Sequence, residues 1–160
     1  AAHRALAAWE RAGKLSAVIT QNIDGLHQAA GSRRVLELHG SVHSNTCLGC
    51  SKRFGLEVML HSTSIPRCDA CQAIIKPDVV LYEEGLDGDV LDAAIVELEQ
   101  ADTLIVGGTS LVVYPAAGLV HSFRGNHLVL INKAATSLDR LATLTVREPI
   151  GEALAPFVND

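Results

Sequence analysis

Short apolar runs alternate along this chain with longer segments of helical periodicity. The runs that predict buried strands cover residues 15–20, 35–38, 79–82, 103–106, 127–131 and 143–146. Helical patterns cover residues 1–12 and 90–98, and further helices are expected after residue 25, at Pro115 and after Pro149. Strands that alternate with helices are typical of α/β proteins. We therefore predict an α/β fold, with a partial Rossmann-like parallel sheet and helices on both faces.

Residues 44–77 differ in character from the rest of the chain. Cysteines, a proline and short polar pieces replace the long periodic segments there. Such a change is typical of a small domain inserted into a larger one. We predict a small insert at residues 44–77, and a main α/β domain formed by residues 1–43 and 78–160.

All four cysteines of the chain lie in this insert, as two Cys-x2-Cys pairs. The first pair is Cys47 and Cys50, and the second is Cys68 and Cys71, with 17 residues between the pairs. This spacing predicts a zinc ribbon, because each tight turn directs two thiolates at one ion and two turns complete a tetrahedron. Four sulfur ligands leave no position for water, so the Zn²⁺ would be structural. Disulfides or free thiols are the alternatives, although disulfides suit secreted, cysteine-dense chains.

Composition and charge narrow the classes of partner. The chain of 160 residues is 48% hydrophobic and 19% charged, as in globular proteins, and its net charge of −5 disfavours direct nucleic-acid binding. Residues 103–123 carry no charge, but Gly107, Gly108 and Pro115 interrupt this run, so no membrane span is predicted. No signal-peptide pattern opens the chain, and we expect a cytoplasmic protein.

Three polar loops follow three predicted strands, at residues 21–24, 107–110 and 132–133. In a parallel sheet such loops converge at the edge where ligands bind. Paired glycines let a ligand approach the backbone, and Thr109 and Ser110 can donate to phosphate or ribose oxygens. Taken singly, each loop also has an ordinary explanation as a turn, a helix cap or a solvated connection.

Six segments, in order, resemble the motifs of sirtuins of the bacterial type, which are NAD-dependent protein-lysine deacylases. One segment is the cysteine set, and the others are residues 20–27 (Thr-Gln-Asn-Ile-Asp-Gly-Leu-His), 37–41 (Glu-Leu-His-Gly-Ser), 76–84, 108–116 and 131–133. The resemblance implies that residues 1–43 and 78–160 form a Rossmann-like NAD-binding domain that is truncated at its N-terminal side. Residues 44–77 would form the zinc-binding small domain.

The resemblance also implies roles that spacing alone does not. His39, Asn22 and Asp24 would be catalytic, although no pattern distinguishes His39 from the six other histidines. The residues implied in NAD binding are Gln21, Asn22, Ile23, Asp24, His39, Gly108, Thr109, Ser110, Asn132, Lys133 and Ile150. The residues implied in substrate binding are Val80, Leu81, Tyr82, Leu111 and Val113, on two strand edges that would pair with an extended acyl-lysine peptide.

In the implied reaction, the acyl oxygen of the substrate attacks the ribose carbon of NAD as nicotinamide leaves. His39 then acts as a general base on a ribose hydroxyl, and water releases lysine and O-acyl-ADP-ribose. The activity is that of a protein deacetylase, both transferase and hydrolase in character. Its partners would be acyl-lysine proteins or peptides, and we expect a monomer.

Some family features are missing from this sequence. The Gly-rich strand–helix unit and the Ile-Pro-Asp-Phe-Arg-type loop are not found in it, so we expect the 160 residues alone to bind NAD weakly and turn over little. Gln72 stands where glycine is common, with an expected effect on that turn only. The alternatives are a non-catalytic zinc-ribbon binding module, a degenerate NAD or ADP-ribose sensor, and an ADP-ribosyltransferase.

Overall fold

A computed structural model of the chain describes residues 1–110, 114 and 116–158. The α-helices are α1 (Ala2–Arg11), α2 (Leu26–Ala29), α3 (Leu56–Leu60), α4 (Gly88–Gln100) and α5 (Ile150–Ala153), with 3₁₀ helices at Ala116–Ser122 and Ala155–Phe157. The strands are β1 (Val18–Thr20), β2 (Val35–Glu37), β3 (Gly40–Cys47), β4 (Arg53–Phe54), β5 (Ile75–Val79), β6 (Thr103–Gly107), β7 (His127–Ile131) and β8 (Leu144–Val146). Over the described ranges, no helix combines the length and apolar character that a bilayer crossing needs.

The parallel strands lie in two sheets. Strand β1 pairs with β2, and β7 lies between β6 and β8. One hydrophobic cluster links the two sheets, because Leu36 and Leu38 pack with Ala94 and Leu98 of α4 and with Leu104 of β6. The α/β prediction is therefore confirmed, with its parallel strands divided between a two-stranded and a three-stranded sheet.

Helices cover both faces of the three-stranded sheet. Along β7, Leu128 and Leu130 face one cluster, and Val129 and Ile131 face another. This alternation follows from the two-residue period of a strand. The first cluster contains the 3₁₀ helix Ala116–Ser122, and the second contains α1 and α5.

The insert is built on an antiparallel sheet in the order β4–β3–β5. Strand β3 runs on either side of residue 43 and β5 runs on either side of residue 77, so this sheet extends beyond residues 44–77 on both sides. The prediction of a strand at residues 79–82 is wrong in position, since the observed strand β5 covers Ile75–Val79. Pairing stops there because Val79 lies opposite Gly40, the first residue of β3.

A bulge interrupts β3, and side chains stabilise it. The pairing with β5 shifts between Ser41 and Asn45. The Asp78 carboxylate accepts hydrogen bonds from the hydroxyls of Ser44 and Thr46. Asn45 is fully buried, and its side-chain nitrogen donates to the backbone carbonyl of Val42 at 3.1 Å. These bonds hold residues 42–44 in one place on the sheet.

Gly40 begins β3 at a point where no side chain fits. Its φ of +72° lies in the left-handed region, and an added Cβ would lie 2.0 Å from the backbone oxygen of Asp78. We expect Gly40→Ala to lower the free energy of unfolding by about 3 kcal/mol or more, since backbone strain and the clash add together. Urea unfolding of the zinc-loaded protein measures this loss.

Gly13 provides the matched control for this prediction. Its φ is +70°, but an added Cβ would have no neighbour within 4 Å. Gly13→Ala should therefore cost only the strain of the left-handed conformation, about 1 kcal/mol. Equal losses in the two variants would contradict the close contact at Gly40.

Candidate active site

The loop of residues 21–25 follows strand β1 and precedes α2. The Thr20 hydroxyl accepts a hydrogen bond from the Asn22 backbone at 3.1 Å. The Asp24 carboxylate accepts one from the Leu26 backbone at 3.0 Å, which satisfies a free N–H group at the start of α2. The polar side chains of Thr20 and Asp24 therefore shape this loop locally.

The His39 imidazole lies against this loop. Its Nδ1 is 2.9 Å from the backbone oxygen of Gln21. A carbonyl oxygen can only accept, so Nδ1 carries the proton of the neutral ring and Nε2 keeps a free lone pair. The structure thus brings together His39 and the loop that contains Asn22 and Asp24, and it fixes the tautomer that a general base needs.

The β3 bulge also bonds to the loop, which sequence reasoning missed. The Val42 backbone N–H donates to the Ile23 oxygen at 3.1 Å, and His43 Nε2 lies 3.1 Å from the Asp24 oxygen. In the sequence His43 stands out only as a neighbour of the cysteines. No pattern in the sequence marks it as a partner of the loop, because the contact depends on a bulge.

A second group of predicted residues lines a cleft of about 660 Å³ at the carboxyl ends of β6 and β7. The predicted residues in its lining are Gly108, Thr109, Ser110, Asn132, Lys133 and Ile150. Ala134, Glu148 and Pro149 are among its other lining residues. Six residues predicted to bind one cofactor therefore share one cavity.

The shape of this cleft depends on a glycine and an arginine. A Cβ on Gly107 would lie 2.4 Å from Cδ1 of Ile150, so only glycine lets Ile150 pack so closely. Arg147 donates to the backbone oxygens of Asn132 and Ala134 and pairs with Asp139. These bonds hold the loop after β7, and sequence reasoning did not identify Arg147.

The predicted site residues therefore form two groups. Of the part of the chain that the structure describes, neither His39 nor residues 21–24 line the cleft. Val80 joins the first group, because its N–H donates to the His39 backbone oxygen at 3.0 Å. Leu81 and Tyr82 are exposed, and Leu111 and Val113 lie outside the described residues.

The four cysteines form a compact cluster at the end of the insert. Their Sγ atoms all lie within 4.8 Å of one another. The Cys47–Cys71 and Cys50–Cys68 pairs are separated by 3.4 Å and 3.6 Å. Zn–S bonds of ~2.3 Å in a tetrahedron place the sulfurs about 3.8 Å apart. The geometry therefore fits the predicted structural zinc site.

The two cysteine turns have the same backbone form. Ser51 donates to the Cys47 oxygen and Gln72 to the Cys68 oxygen, and both donors have a left-handed φ, of 59° and 62°. Gln72 therefore adopts the conformation that glycine favours. A hydrogen bond from the Cys50 backbone N–H is the largest cause that lowers the pKa of the Cys47 thiol, to about 6. A thiolate is the form that binds zinc.

Comparison with known proteins identifies the family of this chain. The model of the Sir2 family matches residues 1–115. The chain belongs to the Sir2 family. An NAD-dependent protein deacetylase of Clostridium acetobutylicum is 59% identical over 99% of this Sir2 chain, and an NAD-dependent protein deacylase 1 of Archaeoglobus fulgidus is 43% identical over 98%. The chain spans 65% of the length of each of these relatives.

Solved structures of Sir2 proteins have the same fold. A complex of Sir2 with a p53 peptide and NAD⁺ is 43% identical, with a TM-score of 0.90 over 99% of this chain and 68% of that one. A Sir2 complex with an inhibitor, 2′-O-acetyl-ADP-ribose and a deacetylated p53 peptide is 42% identical, with a TM-score of 0.89 over 99% of this chain and 70% of that one. The resemblance stated from motifs is thereby confirmed as family membership.

Proposed function

We propose that this Sir2-family protein removes acyl groups, with acetyl as the main one, from protein lysines in a reaction that consumes NAD. The products are nicotinamide, O-acyl-ADP-ribose and free lysine. The observation that carries the proposal is the bond between His39 Nδ1 and the Gln21 oxygen, which leaves Nε2 free as a base next to the loop that contains Asn22 and Asp24. Relatives named as NAD-dependent deacetylases support it.

The cleft at the carboxyl ends of β6 and β7 suits the adenosine side of NAD. Its volume of about 660 Å³ lies in the ordinary range of cofactor pockets. Asn132 and Ser110 would hold ribose and phosphate oxygens, Gly108 would let the phosphates approach the backbone, and Ile150 would pack beside adenine. When bound, NAD supplies the ribose carbon that accepts the acyl oxygen as nicotinamide leaves.

The loop of residues 21–24 and the His39 ring would act on the nicotinamide half. Asn22 and Asp24 would orient the carboxamide and the attached ribose, and Ile23 would pack beside the carboxamide. His39 Nε2 would accept the proton of a ribose hydroxyl, because its lone pair is free while Nδ1–H is held by the Gln21 oxygen. Gln21 would lie close to the ribose hydroxyls.

An extended acyl-lysine peptide would bind where β5 leaves the small domain. Val80 is bonded to the backbone of His39, so a peptide beside residues 80–82 would bring its lysine close to the catalytic ring. Backbone pairing would tolerate many peptide sequences. Leu111 and Val113 stay predictions for the opposite edge. Reduced thiolates at the zinc site suit the cytoplasm, which we propose as the location.

The test is peptide-dependent release of nicotinamide from NAD. The protein is assayed as its gene encodes it, with an acetyl-lysine peptide and with the same peptide carrying unmodified lysine. We expect nicotinamide and O-acetyl-ADP-ribose in equal amounts, only with the acetylated peptide, measured by mass spectrometry. NAD binding without turnover would favour a sensor instead, and ADP-ribose attached to the peptide would favour a transferase.

A further inference from the structure

His43 is set against the catalytic loop although it belongs to the small domain's sheet. The β3 bulge carries its imidazole to the loop, where Nε2 lies 3.1 Å from the backbone oxygen of Asp24. Because a carbonyl oxygen only accepts, Nε2 must carry a proton and donate it to this bond. The ring is solvent-exposed and lies four residues away from Cys47 in the sequence.

Gly25 supplies the space that the ring fills. Its φ is +67°, and an added Cβ would lie 2.7 Å from Nε2 and 2.8 Å from Cδ2 of His43. Real Cβ atoms do not approach other atoms so closely. The missing side chain at position 25 and the imidazole at position 43 are therefore complementary.

Several hydrogen bonds hold the bulge that carries His43. The backbone N–H of Val42, the residue before His43, donates to the Ile23 oxygen. The side-chain amide of buried Asn45 donates to the Val42 oxygen. The Asp78 carboxylate bonds to the hydroxyls on both sides of Asn45. A side chain anchored in this way can hold a neighbouring loop in one conformation.

We propose that His43 is a positioning residue for Asn22 and Asp24, an inference that rests on the proposed function. Two imidazoles bracket the catalytic loop: His39 bonds to the Gln21 oxygen and His43 bonds to the Asp24 oxygen. The first fixes the start of the segment and the second fixes its end. The reactive side chains between them are held where the nicotinamide ribose would bind.

The first test separates positioning from stability by steady-state kinetics. His43→Ala should raise KM for NAD and lower kcat. The ratio kcat/KM for NAD should fall about threefold to tenfold, which corresponds to the net free energy of one hydrogen bond. KM for the acetyl-lysine peptide should not change. His43→Gln should recover most of the loss, since its amide nitrogen can donate from a similar reach. A purely structural defect would reduce the active fraction and leave KM for NAD unchanged.

His61 offers a matched control. It too is an exposed histidine whose ring contacts a backbone oxygen, Nδ1 to Glu57 at 2.9 Å, but it lies in the small domain at the end of α3. His61→Ala should leave both KM values at the wild-type level. If His43→Ala also matches the wild type in KM for NAD, or if His43→Gln recovers nothing, the proposal is overturned.

The second test does not depend on catalysis. Gly25→Ala should lower Tm in the wild type, and the drop should be about 2–4 °C smaller in the His43→Ala background, where the ring no longer meets the new Cβ. Equal drops in both backgrounds would overturn the proposal. An inactive wild type with this coupling present would instead count against the proposed function alone.

Discussion

Replacement of His39 by alanine is expected to lower acyl-lysine turnover by about 10² to 10⁴-fold, the usual contribution of a general base. Nδ1 of the ring lies 2.9 Å from the Gln21 oxygen, and in the proposed reaction Nε2 would face the ribose hydroxyl. Without the ring, the proposed reaction loses the base that would take the ribose proton. Turnover is measured as O-acetyl-ADP-ribose formed at saturating NAD and peptide.

His39→Asn distinguishes the role of His39 as a general base from its hydrogen bond to the Gln21 oxygen. Its amide nitrogen can still donate to the Gln21 oxygen, but the side chain has no basic nitrogen. We expect turnover as low as in His39→Ala, with the affinity for NAD closer to that of the wild type. His127→Ala is the control, since His127 is exposed at the amino end of β7, away from the cleft. Turnover in His39→Asn above a tenth of the wild-type rate would rule out His39 as the general base.

Removal of zinc is expected to unfold the small domain while the parallel sheets stay folded. Metal binding contributes on the order of 10 kcal/mol to folding such domains. The domain has little hydrophobic core of its own: its buried apolar cluster consists of Cys47, Cys68 and Ile75, and two of these belong to the proposed zinc site. Cys68→Ser or a strong chelator should therefore abolish amide protection in residues 40–79, as measured by hydrogen exchange with mass spectrometry.

Metal analysis accompanies this measurement. The wild type should contain about one zinc per chain, as four thiolate ligands require, and Cys68→Ser markedly less. Ser64→Ala, an exposed polar substitution in the same domain, should change neither metal content nor exchange. A metal-free protein whose residues 40–79 stay protected would refute a structural zinc.

The parallel strands could be predicted because burial on both faces makes a strand continuously apolar. Strand β7 is the best example, since it divides its side chains between two cores. Strand β3 could not be predicted in this way. Five of its eight residues are polar, namely Ser41, His43, Ser44, Asn45 and Thr46, and hydrogen bonds from side chains and from β5 hold it in place. Hydrophobic periodicity contains no signal for such a strand.

The same distinction, between local patterns and contacts of distant segments, applies to the candidate site. Motifs of contiguous residues predict His39, the loop with Asn22 and Asp24, and six residues that line the cleft. The apolar run at residues 79–81 predicts a strand that extends to Tyr82, yet Tyr82 is fully exposed beyond the end of β5. The roles inferred for His43 and Arg147 depend on contacts between distant segments, which one sequence does not show.

Strand β3 connects the candidate catalytic histidine with the cysteine cluster. His39 precedes its first residue, Gly40, and its last residue is Cys47 of the cysteine cluster. These eight residues connect the proposed metal site to the imidazole, so loss of the metal would also disturb the position of His39. Specific activity per milligram would then vary from batch to batch with zinc occupancy, so rates from different preparations become comparable only when expressed per mole of bound metal.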